Sequence, residues 1–248
     1  MSCVIDVSVV IPVYDEELNL PALWSELRAV LERLGLGFEV VFVDDGSRDR
    51  SAEIIRSFRE LDRRVRLVRL RTNSGETAAT DAGFKTARGR LVVVMDADLQ
   101  NDPADIPRLL SHLDHWDAAT GWRVDRAADY NIVHRVSSRI ANRIRNWLSN
   151  DTIMDSSCTF RAFRRDCLQE LVLYRGFHRL IPTLLKMRGY RVIEVPVAHR
   201  PRRYGRSKYG VVNRAIAGTV DLLVVSWMNA RVFRYEAVED LGRDLAPD

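Results

Sequence analysis

Residues 91–98 read LVVVMDAD. Four apolar residues run without a polar break into a methionine, and then into two aspartates separated by one alanine. A continuous apolar run of this length fits a strand covered on both faces, as in a parallel sheet. In an extended chain residues i and i+2 project to the same side, so the spacing predicts that Asp96 and Asp98 converge at the strand's C-terminal end. Ligand sites of open α/β sheets lie there. Two adjacent carboxylates repel unless a cation sits between them, and hard oxygen donors suit Mg2+ or Mn2+, whose remaining ligands are commonly phosphate oxygens. An isolated Asp-x-Asp is more often a turn or solvated surface. Its place at the end of a buried strand favours the metal reading.

Upstream the same arrangement recurs. VSVVIPV (7–13) reads as a buried strand, followed by Leu20, Leu23, Leu27, Leu31 and Leu34 at the spacing of one helix face. FEVVFVD (38–44) is the next strand, with Ile54, Ile55 and Phe58 on a second helix. VRLVRL (65–70) is a third strand, and TAATDAGFKTA (77–87) a helix of small residues. Strand alternating with helix predicts an α/β, Rossmann-like fold with a mostly parallel sheet and right-handed crossovers. The first strand ends in Pro12, Tyr14 and Glu16, and the second in Asp44 and Asp45 before a glycine. Singly these are turns, with Asp49 or Ser51 capping the next helix. Three acidic strand ends on one sheet edge together outline a nucleotide pocket.

Downstream the composition changes. The whole chain of 248 residues has a formal charge of +4, but residues 121–214 hold 20 Lys or Arg against 7 Asp or Glu. Positive potential so concentrated favours phosphates or anionic lipid. HRVSSRIANRIRNWL (134–148) reads as an amphipathic helix with a basic flank, Val136, Ile140, Ile144 and Trp147 forming its stripe. YRVIEVPVAH (190–199) reads as a strand entering HRPRRYGRSKYG (199–210), a segment broken by Gly205 and Gly210. VVNRAIAGTVDLLVVSWMNARVF (211–233) is largely apolar but carries Asp221, so it either docks on the domain or lies in a membrane interface. Cys3, Cys158 and Cys167 form neither a disulfide framework nor a zinc motif, and a reducing compartment fits them. The N-terminus lacks the pattern of a signal peptide, and no run reaches the length of a spanning helix. A cytoplasmic protein is the expectation. Nucleic acid is disfavoured as a partner, since no aromatic stacking residues interleave the basic positions.

Taken in order, VVIPVYDEELNL, VVFVDDGSRDRS, NSGETAATDAGFKTARG, VVMDADLQNDP, GWR, DSSCTFRAFRR and HRPRRYGRSKYG resemble the inverting glycosyltransferases of family two, in the polyprenyl-phosphate branch similar to dolichol-phosphate mannose synthase. The likeness spans about residues 6–210. It implies a GT-A type fold, a divalent metal, and transfer of a sugar from GDP-mannose or a UDP-sugar to dolichyl or undecaprenyl phosphate at the cytoplasmic membrane face. By position, Pro12, Tyr14, Glu16, Asp44 and Asp96 resemble nucleotide-binding residues, and Asp96, Asp98 and Gln100 the metal site. Arg123, Arg135 and Ser138 match the acceptor-phosphate group, His134 standing where relatives have Arg or Lys. Asp155 matches an acidic position near the transferred sugar or is a structural cap. Arg202, Ser207 and Lys208 resemble a loop that closes over the donor diphosphate. Asp98, Arg123, Asp155, Arg202 and Lys208 are thus the implied catalytic residues.

These readings divide the chain into a catalytic domain, 1–210, and a C-terminal amphipathic helix and tail, 211–248. Many relatives of this branch carry two C-terminal membrane helices that this chain lacks, so contact with the membrane is expected to be peripheral, through the Trp147 helix, the 216–227 helix, a membrane-anchored partner or a homo-oligomer. The alternative within enzymes is a hydroxyl acceptor in cell-envelope glycan synthesis, with Asp155 as its base. A sugar-nucleotide sensor without activity is the alternative outside them.

Overall fold

A computed structural model describes residues 4–123, 153–169, 171–202, 220–221 and 223–231. Among the described residues seven strands form one sheet: β1 (Val7–Val13), β2 (Phe38–Asp44), β3 (Val65–Arg69), β4 (Leu91–Val94), β5 (Ala118–Arg123), β6 (Arg161–Arg164) and β7 (Val192–Val197), in the order β3-β2-β1-β4-β6-β5-β7. Only β6 runs antiparallel to its neighbours. The expected α/β fold with a mostly parallel sheet is therefore present, with the reversed strand as an addition.

The apolar runs of the first strands are continuous because both faces are covered. Val7, Val9, Ile11, Val40, Phe42 and Val93 enter one core, packed under α1 (Leu20–Leu34) and α2 (Ser51–Leu61). Their alternates Val10, Val41, Val43, Val92 and Val94 enter a second core on the opposite face. This is the period-two division of a pleated strand. The second core lies under α3 (Glu76–Thr86) and α5 (Ile181–Met187), while the short α4 (Ile106–Ser111) joins the first. The small residues of α3 have a packing reason. A Cβ at Gly83 would fall 2.2 Å from Val10 Cγ1, so the helix lies nearly in contact with β1.

Residues 223–229 are helical. Val225 is fully buried in the second core, Met228 packs against it, and Asp221 pairs with Arg179 at 3.3 Å. Leu223, Val224 and Trp227 remain exposed. This stretch therefore docks on the domain by one side. Among the described residues no helix is long and apolar enough to cross a membrane.

Candidate active site

At the C-terminal ends of β1, β4 and β5 lies a cleft of about 640 Å³. Pro12, Tyr14, Glu16, Asp96, Asp98, Gln100, Arg123 and Arg202 all line it, so most of the residues expected in the site are brought together.

The loop after β1 is built by the segment after β2. Three consecutive amides, of Asp15, Glu16 and Glu17, donate to Ser47 Oγ, Ser51 Oγ and Asp49 Oδ2 at 3.0, 2.9 and 3.0 Å. Asp49 also accepts from the Ser51 amide at 2.9 Å, so it satisfies the first turn of α2, whereas the hydroxyl of Ser51 serves the neighbouring loop. Asp15 stands at φ 52° and Leu99 at φ 65°, the two non-glycine residues in the left-handed region among those described. Each is followed by a residue that lines the cleft, Glu16 and Gln100. Backbone strain of this kind gathers at functional sites.

Asp44 departs from expectation. Its fully buried carboxylate accepts from Arg69 Nε at 3.0 Å and from the Ser47 amide at 3.0 Å, and Asp45 takes its place in the cleft wall. Asp45 in turn accepts from the amides of Ser74 and Gly75 at 2.7 and 2.8 Å, holding the entry to α3. Adjacent residues point opposite ways as the strand ends.

β4 stops at Val94, so Asp96 and Asp98 stand on a turn rather than on an extended strand. They are nonetheless close. Burial, reinforced by the charge of Asp98, pushes the Asp96 carboxyl up to about 6, against a hydrogen bond from Thr159 Oγ1 at 2.5 Å. Two neighbouring carboxylates, one of which raises the proton affinity of the other, with the Gln100 side chain alongside, form a hard oxygen donor set that fits a divalent cation. Among the described residues no group of three or more His, Cys, Asp or Glu side chains could hold a metal. A cation here would therefore draw further ligands from phosphate or water.

Arg123 ends β5 in a fork. Its Nε donates to Asp155 Oδ2 at 2.8 Å, and its Nη2 to Asp155 Oδ1 at 2.9 Å and Ser157 Oγ at 2.6 Å. Burial works against this charge and the Asp155 carboxylate more than offsets it, so the guanidinium pKa lies above its ordinary value. Asp155 itself is held by its amide donating to Glu194 Oε1 on β7 at 2.9 Å. It holds Arg123 from behind and is not among the residues that line the cleft. Arg135, Ser138, Ser207 and Lys208 lie outside the described residues.

Three contributors went unread in the sequence. Arg161 is buried to 1% exposure, and its guanidinium donates to Thr120 Oγ1 and to the carbonyls of Ser156, His178 and Arg179. Burial lowers its pKa to about 10, and its charge acts on Asp155, Asp96 and Glu76. His178 lines the cleft with Nδ1 2.6 Å from Thr77 Oγ1 and Nε2 3.5 Å from Glu76 Oε1. His199 lies 3.5 Å from the Gln100 amide. Arg161 opens the four-residue β6, whose two arginines gave no clear strand signal in the sequence.

A family model described as glycosyl transferase family 2 matches residues 8–172. Among curated proteins, the undecaprenyl-phosphate 4-deoxy-4-formamido-L-arabinose transferase of Pseudomonas paraeruginosa is 41% identical over 212 residues, covering 83% of this chain and 61% of that protein. The dodecaprenyl-phosphate galacturonate synthase of Rhizobium johnstonii is 33% identical over 240 residues, covering 94% of this chain and 69% of that protein. The chain spans 61–64% of the length of two of the arabinose transferases it matches. Among solved structures, glucosyl-3-phosphoglycerate synthase from Mycobacterium tuberculosis, in complex with Mn2+, UDP and glucosyl-3-phosphoglycerate, superimposes with a TM-score of 0.63. It is 18% identical and covers 92% of this chain and 81% of that one. That likeness establishes the shared fold.

Proposed function

The chain belongs to glycosyl transferase family 2, and on that premise we propose that it moves a sugar, with inversion, from a nucleotide-diphosphate sugar to a polyprenyl phosphate at the cytoplasmic membrane face. The observation that carries this reading is the state of Arg123. Its Nε and Nη2 are committed to Asp155 and Ser157, which leaves the two N–H groups of Nη1 for an anion in the cleft. A guanidinium held by its back edge and open at its front suits a phosphate.

The acceptor decides what the protein must supply. A hydroxyl nucleophile needs a base, whereas a phosphate monoester with a second pKa of about 6 is already largely ionised at neutral pH. Asp155 is a poor candidate for that base, because both its oxygens are occupied by Arg123 and Ser157. Transfer then rests on alignment and charge. A phosphate oxygen forms the new bond to the anomeric carbon as the bond to the departing nucleoside diphosphate breaks on the opposite face. Pro12, Tyr14, Glu16 and Asp45 form the wall assigned to the nucleoside, and Arg123, with Arg135 and Ser138, is assigned to the acceptor phosphate. Asp96, Asp98 and Gln100 would hold Mg2+ or Mn2+, which neutralises charge on the leaving diphosphate. Arg202 and Lys208 are assigned to the same leaving group. Peripheral contact with the membrane would use the outward Leu223, Val224 and Trp227.

The test is to incubate the protein with Mn2+, undecaprenyl or dolichyl phosphate and a panel of nucleotide sugars, and to measure released nucleoside diphosphate. Release that depends on the lipid phosphate is expected. Equal release with a hydroxyl acceptor and none with the lipid phosphate would favour the other acceptor class.

A further inference from the structure

The carboxylate of Asp98 already has a cation against it. Arg202 Nη2 lies 2.6 Å from Asp98 Oδ2 and 3.5 Å from Gln100 Oε1, so it touches two of the three residues assigned to the metal. The root of its segment is fastened to the same loop. The Arg200 amide donates to the Gln100 carbonyl at 2.9 Å, His199 forms an antiparallel bridge with Asn101, and the Arg200 side chain pairs with Glu26 and Asp102 at 2.5 and 2.7 Å. Arg202 stands two residues beyond this fixed point, with its side chain 32% exposed.

We propose that Arg202 is a resident counter-cation: it neutralises Asp98 while the site is empty, and gives that carboxylate up for the donor diphosphate when a divalent cation and nucleotide bind. The proposal rests on the donor-site reading above and goes beyond it by assigning Arg202 two successive partners. Charge supplies the reason. A divalent ion added beside an arginine would set three positive charges against two carboxylates, and like charges in a partly buried site repel strongly. A diphosphate brings the anion that receives the displaced guanidinium, with the charge-assisted hydrogen bonds that arginine forms to phosphate. The cation alone therefore competes with Arg202, and the cation with nucleotide does not. By linkage, each ligand strengthens the other.

Mn2+ binding to the full chain, followed by electron paramagnetic resonance of the free ion, tests this with Mn2+ alone and then with UDP or GDP. The wild-type protein is expected to bind Mn2+ weakly alone and much more tightly with the matching nucleotide. R202Q is expected to bind Mn2+ alone about fivefold more tightly, the order of one partly exposed ion pair, and the nucleotide at saturating Mn2+ about tenfold more weakly. R202K, which keeps the charge, should retain the weak binding of Mn2+ alone, and melting curves establish that each variant is folded. If R202Q leaves the affinity for Mn2+ alone unchanged or lower while Mn2+-dependent nucleotide binding persists, the counter-cation role is overturned and the donor site stands. If the wild-type protein binds neither UDP nor GDP in a Mn2+-dependent way, both fail.

Discussion

The two ends of the sheet each carry a charged cavity, and they hold their charges in opposite states. At the N-terminal end, a hollow of about 540 Å³ is rimmed by Arg59, Arg63, Arg64, Arg66 and Arg88 over Val4, Leu36 and Phe38. Arg64 bonds Asp62 and Glu32 and stacks over the Phe38 ring at 4.1 Å, and Arg66 bonds Glu39 at 2.9 Å. Hydrogen bonds from Arg64 hold the Asp62 carboxyl below its usual range, those from Arg28 and then Arg64 do the same for Glu32, and the two carboxylates hold the Arg64 pKa up. Those shifts belong to satisfied pairs. At the C-terminal end burial pushes Asp96 up to about 6 and Arg161 down to about 10, both against their charged forms. Charges kept in environments that disfavour them are a mark of a functional site. The pairs at the N-terminal end favour their charged forms, whereas burial at the C-terminal end works against those of Asp96 and Arg161, even though Arg123 there is well paired with Asp155.

The strongest way to break this contrast is Asp98→Ala. If the carboxylate pair exists to hold a cation, the variant should lose Mn2+-dependent nucleoside diphosphate binding in calorimetry, and turnover should fall roughly a thousandfold. Retained cation-dependent binding would show that the crowded charge at this end has another purpose.

Arg123 comes next. Arg123→Lys keeps the charge but cannot pair with Asp155 through two edges while presenting a third to phosphate, so kcat/KM for polyprenyl phosphate should drop by about a hundredfold with donor affinity unchanged. Asp155→Asn should act in the same direction but less, by about tenfold, because the arginine remains and only its aim loosens. A complete loss with Asp155→Asn, matched by a normal affinity for lipid phosphate, would instead identify it as a base.

The parallel part of the sheet and the cleft at its C-terminal edge were legible in the sequence, the hollow at the other end was not, and the limits are instructive. β1 and β2 coincide with VSVVIPV and FEVVFVD because runs buried on both faces are unbroken, and turn residues bound them. β6 went unread: it has four residues with arginine at both ends, and its first arginine is buried by neutral carbonyls that sequence does not place. Asp96 and Asp98 were singled out because their motif follows an apolar strand, and Gln100, Arg123 and Arg202 through the resemblance to a known family; all five line the cleft. Asp44 was misplaced relative to Asp45 by a single residue, since the parity of side chains at a strand's end depends on where pairing stops. The Arg123–Asp155 fork joins residues 32 apart and is a property of the sheet, in which β5 lies between β6 and β7.

If the C-terminal end is strained by its own charge, relieving that charge should stabilise the empty protein. Asp96→Asn removes a carboxylate that is ionised at about pH 7.5 despite burial and the nearby Asp98. We expect a gain of about 1–2 kcal/mol in urea denaturation without ligand, together with loss of cation-dependent nucleotide binding. A loss of stability would mean that the Thr159 hydrogen bond and the surrounding arginines already satisfy Asp96, and the two ends would no longer differ in kind.

The same substitution type at the other end should have the opposite sign and a smaller size. Asp62 is held below its usual value of 3.8, chiefly by the hydrogen bonds from Arg64. A carboxyl whose pKa is lower in the folded protein binds fewer protons there than when unfolded, so its contribution is complete above the unfolded value and is lost as pH falls through the folded one. Arg64 is partly exposed, its side chain 40% accessible, so solvent screening reduces the effect. Asp62→Asn should therefore cost only about 0.5 kcal/mol near neutral pH. In melts across a pH series, the difference between parent and variant should stay constant down to about pH 5 and narrow once pH passes below about 3.8. A gap that widens on acidification would mean that Asp62, like Asp96, is ionised against its surroundings.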